Sequence, residues 1–116
     1  MHARARLGRA VETAVADLYR REGFEVDTNF RAGRIEIDVI ASRPGVVVFV
    51  EVKARTSDRF GMPAEAVTPV KQGRIRRAAA AWLAATKPGR VEIRFDVVSA
   101  IVRRGGVELT RIPDAF

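Results

Sequence analysis

Two apolar runs flank a Pro44-Gly45 dipeptide, and inside them stand charges that a buried strand does not hold without a reason. Residues 35–55 run IEIDVIASRPGVVVFVEVKAR, rich in Val and Ile on both sides of the turn signal and interrupted by Glu36, Asp38, Glu51 and Lys53. The middles of both runs are apolar on both faces. The two strands, over 34–41 and 46–54, should therefore be central in a sheet and covered by helices on each side. Side chains alternate along a strand, so Glu51 and Lys53 share one face and Val50 and Val52 the other. A hairpin symmetric about Pro44-Gly45 sets Asp38 opposite Glu51 and Glu36 opposite Lys53. Four charged groups then share one face at one end of the hairpin. Proline cannot take the positive φ of the tightest hairpin turns, which predicts a somewhat longer loop.

The rest of the chain supplies the cover. Leu7, Val11, Ala14, Val15 and Leu18 recur at helical spacing and predict an amphipathic helix over 5–22, stopped by Gly23. Glu12 lies at the border of its apolar face, where it either reaches solvent or leans over the neighbouring sheet. Residues 24–30 alternate weakly, as a half-exposed strand does, and 31–33 make a turn. A polar loop over 56–63, with Phe60-Gly61 in it, leads to Thr68, an N-cap residue followed by Pro69 in the favoured first helical position. That helix runs to about Thr86, before Pro88-Gly89, with Val70, Ile75, Ala78, Ala79, Trp82 and Leu83 on its apolar side. Residues 91–102 form a long alternating strand, and Gly105-Gly106 turns it into a last strand over 107–112. Asp96, in mid-strand, is read as a maker of structural hydrogen bonds, and the apolar tail leaves Phe116 to dock. The order αβββαββ describes one α/β domain over 1–116, a central mixed sheet flanked by helices.

Charge narrows the partners. With 21 Lys and Arg against 14 Asp and Glu, the chain carries +7 and has a pI near 11.2, which favours nucleic acid. Lys71, Arg74, Arg76 and Arg77 load the opening turns of the second helix, beside its partially positive end. That suits phosphate oxygens, with an ordinary solvated face as the alternative. The absence of Cys removes disulfides, thiolate zinc sites and cysteine nucleophiles together. The one His, His2, stands near the terminus and is assigned no ligand or base role. No apolar run approaches the ~20 residues of a membrane span, and the start lacks a secretory core, so a cytoplasmic protein with no membrane partner is expected.

The charges in the hairpin fit a hydrolytic site. Carboxylates on adjacent strands, Asp38 and Glu51, can hold Mg²⁺ or Mn²⁺, hard cations that take oxygen ligands and keep several waters. Lys53, two residues on, reaches the scissile phosphate or orients the nucleophile. A further acid, Glu12 or Glu36, completes the shell or holds water. The competing reading is a cross-strand salt-bridge ladder, worth under ~1 kcal/mol per exposed pair. Glu36 can equally be only the salt-bridge partner of Lys53.

Asp38 followed by Glu51-Val52-Lys53 resembles the D…ExK signature of the PD-(D/E)XK (restriction endonuclease-like) nuclease superfamily. The whole chain resembles more closely the YraN-like uncharacterised protein family, with a fold related to Holliday-junction resolvases. The matching pieces are Gly8 and Glu12, Asn29-Phe30-Arg31, Glu36 through Ala41, Val48 through Arg55, Phe60-Gly61 with Pro63, Ala66-Val67, Lys71 and Arg94-Phe95-Asp96. The chain departs from the family pattern at Val11 and Ile35, where relatives carry Gly, and from the superfamily pattern at Ile37, where Pro is usual. The resemblance implies a restriction endonuclease-like core, Asp38 and Glu51 as metal ligands, Lys53 as the catalytic lysine and Glu12 as a helix-borne acid. The function expected is a metal-dependent endonuclease acting on structured or branched DNA, with Lys71, Arg74, Arg77 and Arg55 meeting the nucleic acid. DNA stands ahead of RNA, and a homodimer would suit the cutting of two strands. The alternative is a non-catalytic nucleic-acid-binding module that retains the nuclease fold.

Overall fold

The computed structural model describes residues 3–56 and 67–116, with side chains described from residue 8 onward. The 56–63 loop beyond Thr56, with Phe60-Gly61 and Pro63, lies outside the described residues, as do Ala66 and the side chain of Leu7. The elements are α1 (Ala3–Arg21), β1 (Glu25–Ala32), β2 (Ile35–Arg43), β3 (Val46–Arg55), α2 (Pro69–Thr86), β4 (Glu92–Arg103) and β5 (Gly106–Ile112). The strands form one sheet in chain order, antiparallel throughout except that β3 and β4 run parallel. Parallel neighbours need a crossover, and α2 supplies it. This mixed α/β arrangement is compatible with a restriction endonuclease-like core.

The β2–β3 hairpin has the register that the turn dictates, from Arg43 opposite Val46 to Val39 opposite Val50. The turn itself is the tight two-residue Pro44-Gly45, not a longer loop. Gly45 takes φ 90° and leaves Pro44 at its own fixed negative φ, the division of labour of a type II turn. The described pairing then stops short of the charged residues. Beyond Val39 and Val50 the Val52 N–H donates to Asp38 Oδ2 at 2.9 Å, a side chain standing where a strand carbonyl otherwise would. On the other flank of β2 the ladder with β1 passes over the same residue. Thr28 pairs with Val39 and Phe30 with Ile37, while Asn29 between them adopts the left-handed φ of 57°.

Each helix covers one face. Val15 and Tyr19 of α1 pack with Phe24, Val39, Val48, Val50 and Val98, and Val11 and Ala16 are buried beside them. Tyr19 completes the stripe of Val11, Val15 and Leu18 that periodicity marks. On the opposite face Ile75, Ala78, Ala79 and Trp82 of α2 pack on Ile37, Ile40, Val47, Phe49 and Val97. Trp82 meets Phe49 edge-on at 5.8 Å between ring centroids. Phe95 stacks on Phe49 at 5.5 Å and on Phe116 at 5.1 Å, which docks the tail. Val70 does not join this face and is 66 % exposed. It precedes Ile75 by five residues, about 140° around the helix, so the sheet-facing arc has already turned away. Thr68 caps α2 by accepting from the Lys71 N–H at 3.2 Å, and Lys87, at φ 48°, closes it by donating to the Leu83 carbonyl at 2.9 Å. The last hairpin turns at Arg104-Gly105, one residue before the expected Gly105-Gly106, because Arg103 pairs with Gly106. The slip leaves every side chain on its expected face.

Asp96 is fully buried and saturated with donors. Tyr19 Oη donates to it at 2.6 Å, Arg94 Nε and Nη2 at 2.9 and 3.1 Å, and the Asp114 N–H at 2.9 Å. Burial, then the Asp96 carboxylate, pushes the Tyr19 phenol well above its ordinary range, so it stays a donor. Arg111 closes the network with a two-pronged bond to Glu22 at 2.8 and 2.7 Å. Asp96→Ala would strand Tyr19 and Arg94 at once. The expected cost is about 3–5 kcal/mol in urea unfolding, with Asp96→Asn, which keeps an acceptor, costing less. An Asp96→Ala protein unfolding like wild type would remove the network from the stability of the fold.

Candidate functional site

The place where β2 and β3 stop pairing is lined by ionisable groups from four elements. Asp38 stands on β2 at the break itself. Glu36, one strand repeat earlier, lies opposite Arg31 of β1 and pairs with it at 2.8 Å. It does not pair with Lys53, as the hairpin register alone suggests. Glu12 is brought in by α1, whose buried Val11 and Val15 fix which side of the helix meets the sheet. A hollow of about 100 Å³ lined by Gly8, Glu12, Asp38 and Val52 opens between helix and sheet. Glu12, Glu36 and Asp38 each offer a carboxylate oxygen, and these oxygens lie within 4.8 Å of one another.

Such a cluster is electrostatically poor without a cation. Burial, then the charge of Glu51, then those of Glu12 and Glu36, push the Asp38 carboxyl up to about 7, against the pull of the Val52 N–H. At neutral pH Asp38 is therefore shared between its protonated and ionised forms. Ligand oxygens of a Mg²⁺-sized ion, with bonds near 2.1 Å, lie roughly 3 to 4.2 Å apart, so these three, within 4.8 Å of one another, would hold one ion after drawing in slightly.

Glu51 is the most buried of the site acids, at 6 % exposure, and is held by cations. Its Oε1 sits 2.7 Å from Lys71 Nζ and 3.5 Å from Lys53 Nζ. Burial and then the Lys71 ammonium lower the Lys53 pKa, with Glu51 pulling the other way. For Lys71 burial acts in the same downward sense, but the hydrogen bond to Glu51 and its charge leave the pKa raised. Lys71 thus carries the firmer charge of the two. The four charges of the hairpin accordingly do not form one strand-to-strand set. Asp38 and Glu36 gather with Glu12, and Glu51 and Lys53 gather with Lys71.

Lys71 therefore stands inside this constellation and not only on a phosphate-facing surface. The signal that places it there is topological. A helix that crosses between parallel strands begins at the C-terminal end of the first strand, which is where Glu51 and Lys53 lie. Arg74 is exposed one turn on and lines a hollow of about 430 Å³ with Arg34, Glu36 and Lys71. Arg77 is exposed on the same helix, and Arg55 is half-buried at the end of β3. Arg76, in the same basic run, lies over the rings of Phe95 and Phe116 at 5.0 and 5.4 Å and is committed to packing.

Residues 11–100, which contain Glu12, Glu36, Asp38, Glu51, Lys53 and Lys71, match the model of the Uncharacterised protein family UPF0102. A UPF0102 protein of Syntrophomonas wolfei is 40 % identical over 111 residues, covering 95 % of this chain and 96 % of its own. One from Mycolicibacterium vanbaalenii is 46 % identical over 112 residues, covering 94 % and 92 %. One from Chlorobaculum parvum is 46 % identical over 102 residues, covering 87 % and 79 %. The chain thus belongs to the UPF0102 family, the YraN-like proteins its motifs resemble.

Proposed function

We propose that this protein binds nucleic acid and is a metal-dependent endonuclease that hydrolyses phosphodiester bonds in structured or branched DNA. The observation that carries the reading is the juxtaposition of two opposite sets of groups, three carboxylates converging within 4.8 Å and two lysine ammoniums gathered on Glu51. Hydrolysis of a phosphodiester needs both. Negative charge grows on the phosphoryl oxygens as water attacks and the ester oxygen leaves, and cationic donors stabilise it. The resemblance of Asp38 and Glu51-Val52-Lys53 to the nuclease signature, the compatible fold and a net charge of +7 point the same way.

Glu12, Glu36 and Asp38 would hold Mg²⁺ or Mn²⁺, with Glu51 beside them as the remaining carboxylate. When bound, such an ion supplies Lewis acidity and a nucleophile activated near neutral pH. The chain's own residues do the rest. Lys53 and Lys71 offer N–H donors to a phosphate at the mouth of the site, and Glu51 keeps both ammoniums there. Arg74 and Arg34 extend the positive surface away from the reacting group.

A non-catalytic nucleic-acid-binding module is the second reading, and one observation favours it. Glu51 is already neutralised by Lys71 at 2.7 Å, so one of the four acids needs no metal. Incubation of the protein with labelled duplex, single-stranded and four-way DNA in Mg²⁺ or Mn²⁺ separates the two. Cleavage is expected, with Asp38→Ala and Lys53→Ala each lowering the rate at least a hundredfold. Full activity in both variants would remove the proposed site. Salt-sensitive binding without cleavage by wild type would leave the module.

Asp38 also gives the cation reading a pH signature. Its carboxyl is raised from 3.8 to about 7 in the fold. Its contribution to stability is therefore fully present below its unfolded value and is lost as pH rises through about 7. Without divalent cation, Asp38→Asn should overtake wild type in unfolding free energy between pH 5 and 8 by about 2 kcal/mol. Saturating Mn²⁺ should close that gap at pH 8 and lose up to tenfold in affinity per unit below pH 7. Parallel pH profiles for the two proteins, and no effect of Mn²⁺, would show that the acids do not share a cation.

A further inference from the structure

The carboxylate cluster is bordered by hollows on two sides, and basic side chains stand in both. Toward α2 lies the hollow of about 430 Å³ with Arg34, Lys71 and Arg74, which reaches the cluster through Glu36. Between α1 and β1 lies a second hollow, of about 210 Å³, which reaches it through Glu12. Arg9, Thr13, Ala16 and Arg20 line that second hollow from α1, and Thr28 and Asn29 from β1. Their spacing of four, three and four residues is one stripe along the helix, so both arginines overlook the same strand edge. The α1 hollow shares Glu12 with the small hollow beside Asp38, and the α2 hollow includes Glu36, so this run of hollows meets only at the acids, with α1 and α2 on opposite faces of the sheet.

We infer that the α1–β1 hollow is a second nucleic-acid contact, which holds the phosphate backbone on the side of the acids opposite to α2, so that one strand crosses the molecule from Arg9 and Arg20 to Arg34 and Arg74. The inference rests on the proposed nucleic-acid reading and deepens it. A polyanion fits the pattern better than a small anion does. The basic groups are spread along the run and separated by carboxylates, an arrangement that repels one anion placed at the centre but suits a chain of phosphates contacted on both flanks. Small polar groups accompany the arginines on the α1 side. Thr13, Thr28 and Asn29 offer donors to phosphate oxygens and leave room for the backbone to lie close. Arg20 pairs with Asp17 at 3.2 Å, both side chains half-exposed, and so exposed a pair is weak enough to yield its arginine to a phosphate. Contacts on both flanks also favour a strand that can bend or splay at the reacting phosphate. That is a property of branched and single-stranded DNA rather than of continuous duplex.

The test is titration of a fluorescein-labelled single-stranded DNA of about 16 nucleotides and of a four-way junction, at several salt concentrations without divalent cation. Arg9→Ala with Arg20→Ala should weaken binding of both about tenfold and flatten the slope of log affinity against log salt by about one to two. Arg34→Ala with Arg74→Ala should do likewise, and the four substitutions together should combine. Arg90→Ala, before β4 and outside both hollows, serves as the control for charge alone. Circular dichroism confirms that each variant is folded. An Arg9/Arg20 variant that is folded and binds as wild type, or no more weakly than Arg90→Ala, overturns the inference. Cleavage by wild type is read separately. Lost affinity in a protein that never cuts keeps the two-sided contact and removes the nuclease, whereas cutting with unchanged affinity keeps the nuclease and removes the contact.

Discussion

The site exists because strand pairing is broken at Asp38, and the hydrogen bond from the Val52 N–H to its carboxylate is what lets the break persist. An unpaired N–H inside a sheet costs about 1–3 kcal/mol. Asp38 Oδ2 satisfies it at 2.9 Å, so β2 and β3 can part without leaving an orphan. Asn29 gives way on the other side of β2, in the left-handed conformation that asparagine tolerates better than most residues. With the ladder interrupted on both flanks, β2 no longer has to alternate strictly. Ile37 packs under α2 while Val39, two residues later, packs under α1. That slip lets one short stretch anchor both layers and still present two acids.

The burial of opposite charges is divided between the two layers in a way that limits its cost. Glu51, nearly inaccessible, is neutralised within its own layer by Lys71 and Lys53. An isolated buried carboxylate costs several kcal/mol, and the lysines offset most of that. Asp38 makes no close ion pair among the described residues, although its charge helps hold the Lys71 ammonium. It is accompanied instead by Glu12 and Glu36, of which Glu36 leans on the exposed Arg31. One carboxylate set is therefore complete as folded and the other is short of positive charge. That imbalance is what the proposed cation would offset.

Local patterns in the sequence carried the sheet, the two helices and the register of the central hairpin, because each depends on residues close in the chain. Pro44-Gly45 sets the pairing of β2 with β3, and Thr68-Pro69 sets the start of α2. The end of that pairing was not legible, since nothing in the run from Glu36 to Val39 says where a neighbouring strand departs. Expecting Glu36 opposite Lys53 followed from a ladder assumed to continue. Lys71 was legible only as a basic residue on a helix. Its approach to Glu51 comes from the parallel crossover, a tertiary relation that joins residues twenty apart. Val70 falls outside the expected face because it lies about 140° around α2 from Ile75, off the arc that meets the sheet. Asp96 makes structural hydrogen bonds, as its mid-strand position suggests, but one of its partners, Tyr19, lies seventy-seven residues away and leaves no trace in spacing.

That distant partner ties the two ends of α1 to different tasks. Glu12 and Tyr19 are seven residues apart, close to two helical turns, so they face the sheet along nearly the same line. Tyr19 is clamped to Asp96 of β4 at 2.6 Å, and the residue just beyond the helix, Glu22, is clamped to Arg111 of β5. A helix held at its C-terminal end by two polar contacts to the far strands cannot slide along the sheet by a turn without breaking both. Glu12 is thereby placed over Asp38 by contacts made at the other side of the sheet, through strands that carry none of the proposed chemistry. The proposed cation needs the members of the acid cluster within a few ångströms, and Val11, next to Glu12 on α1, is itself buried. The buried tyrosine and aspartate are for that reason part of the geometry of the site as well as of the stability of the fold.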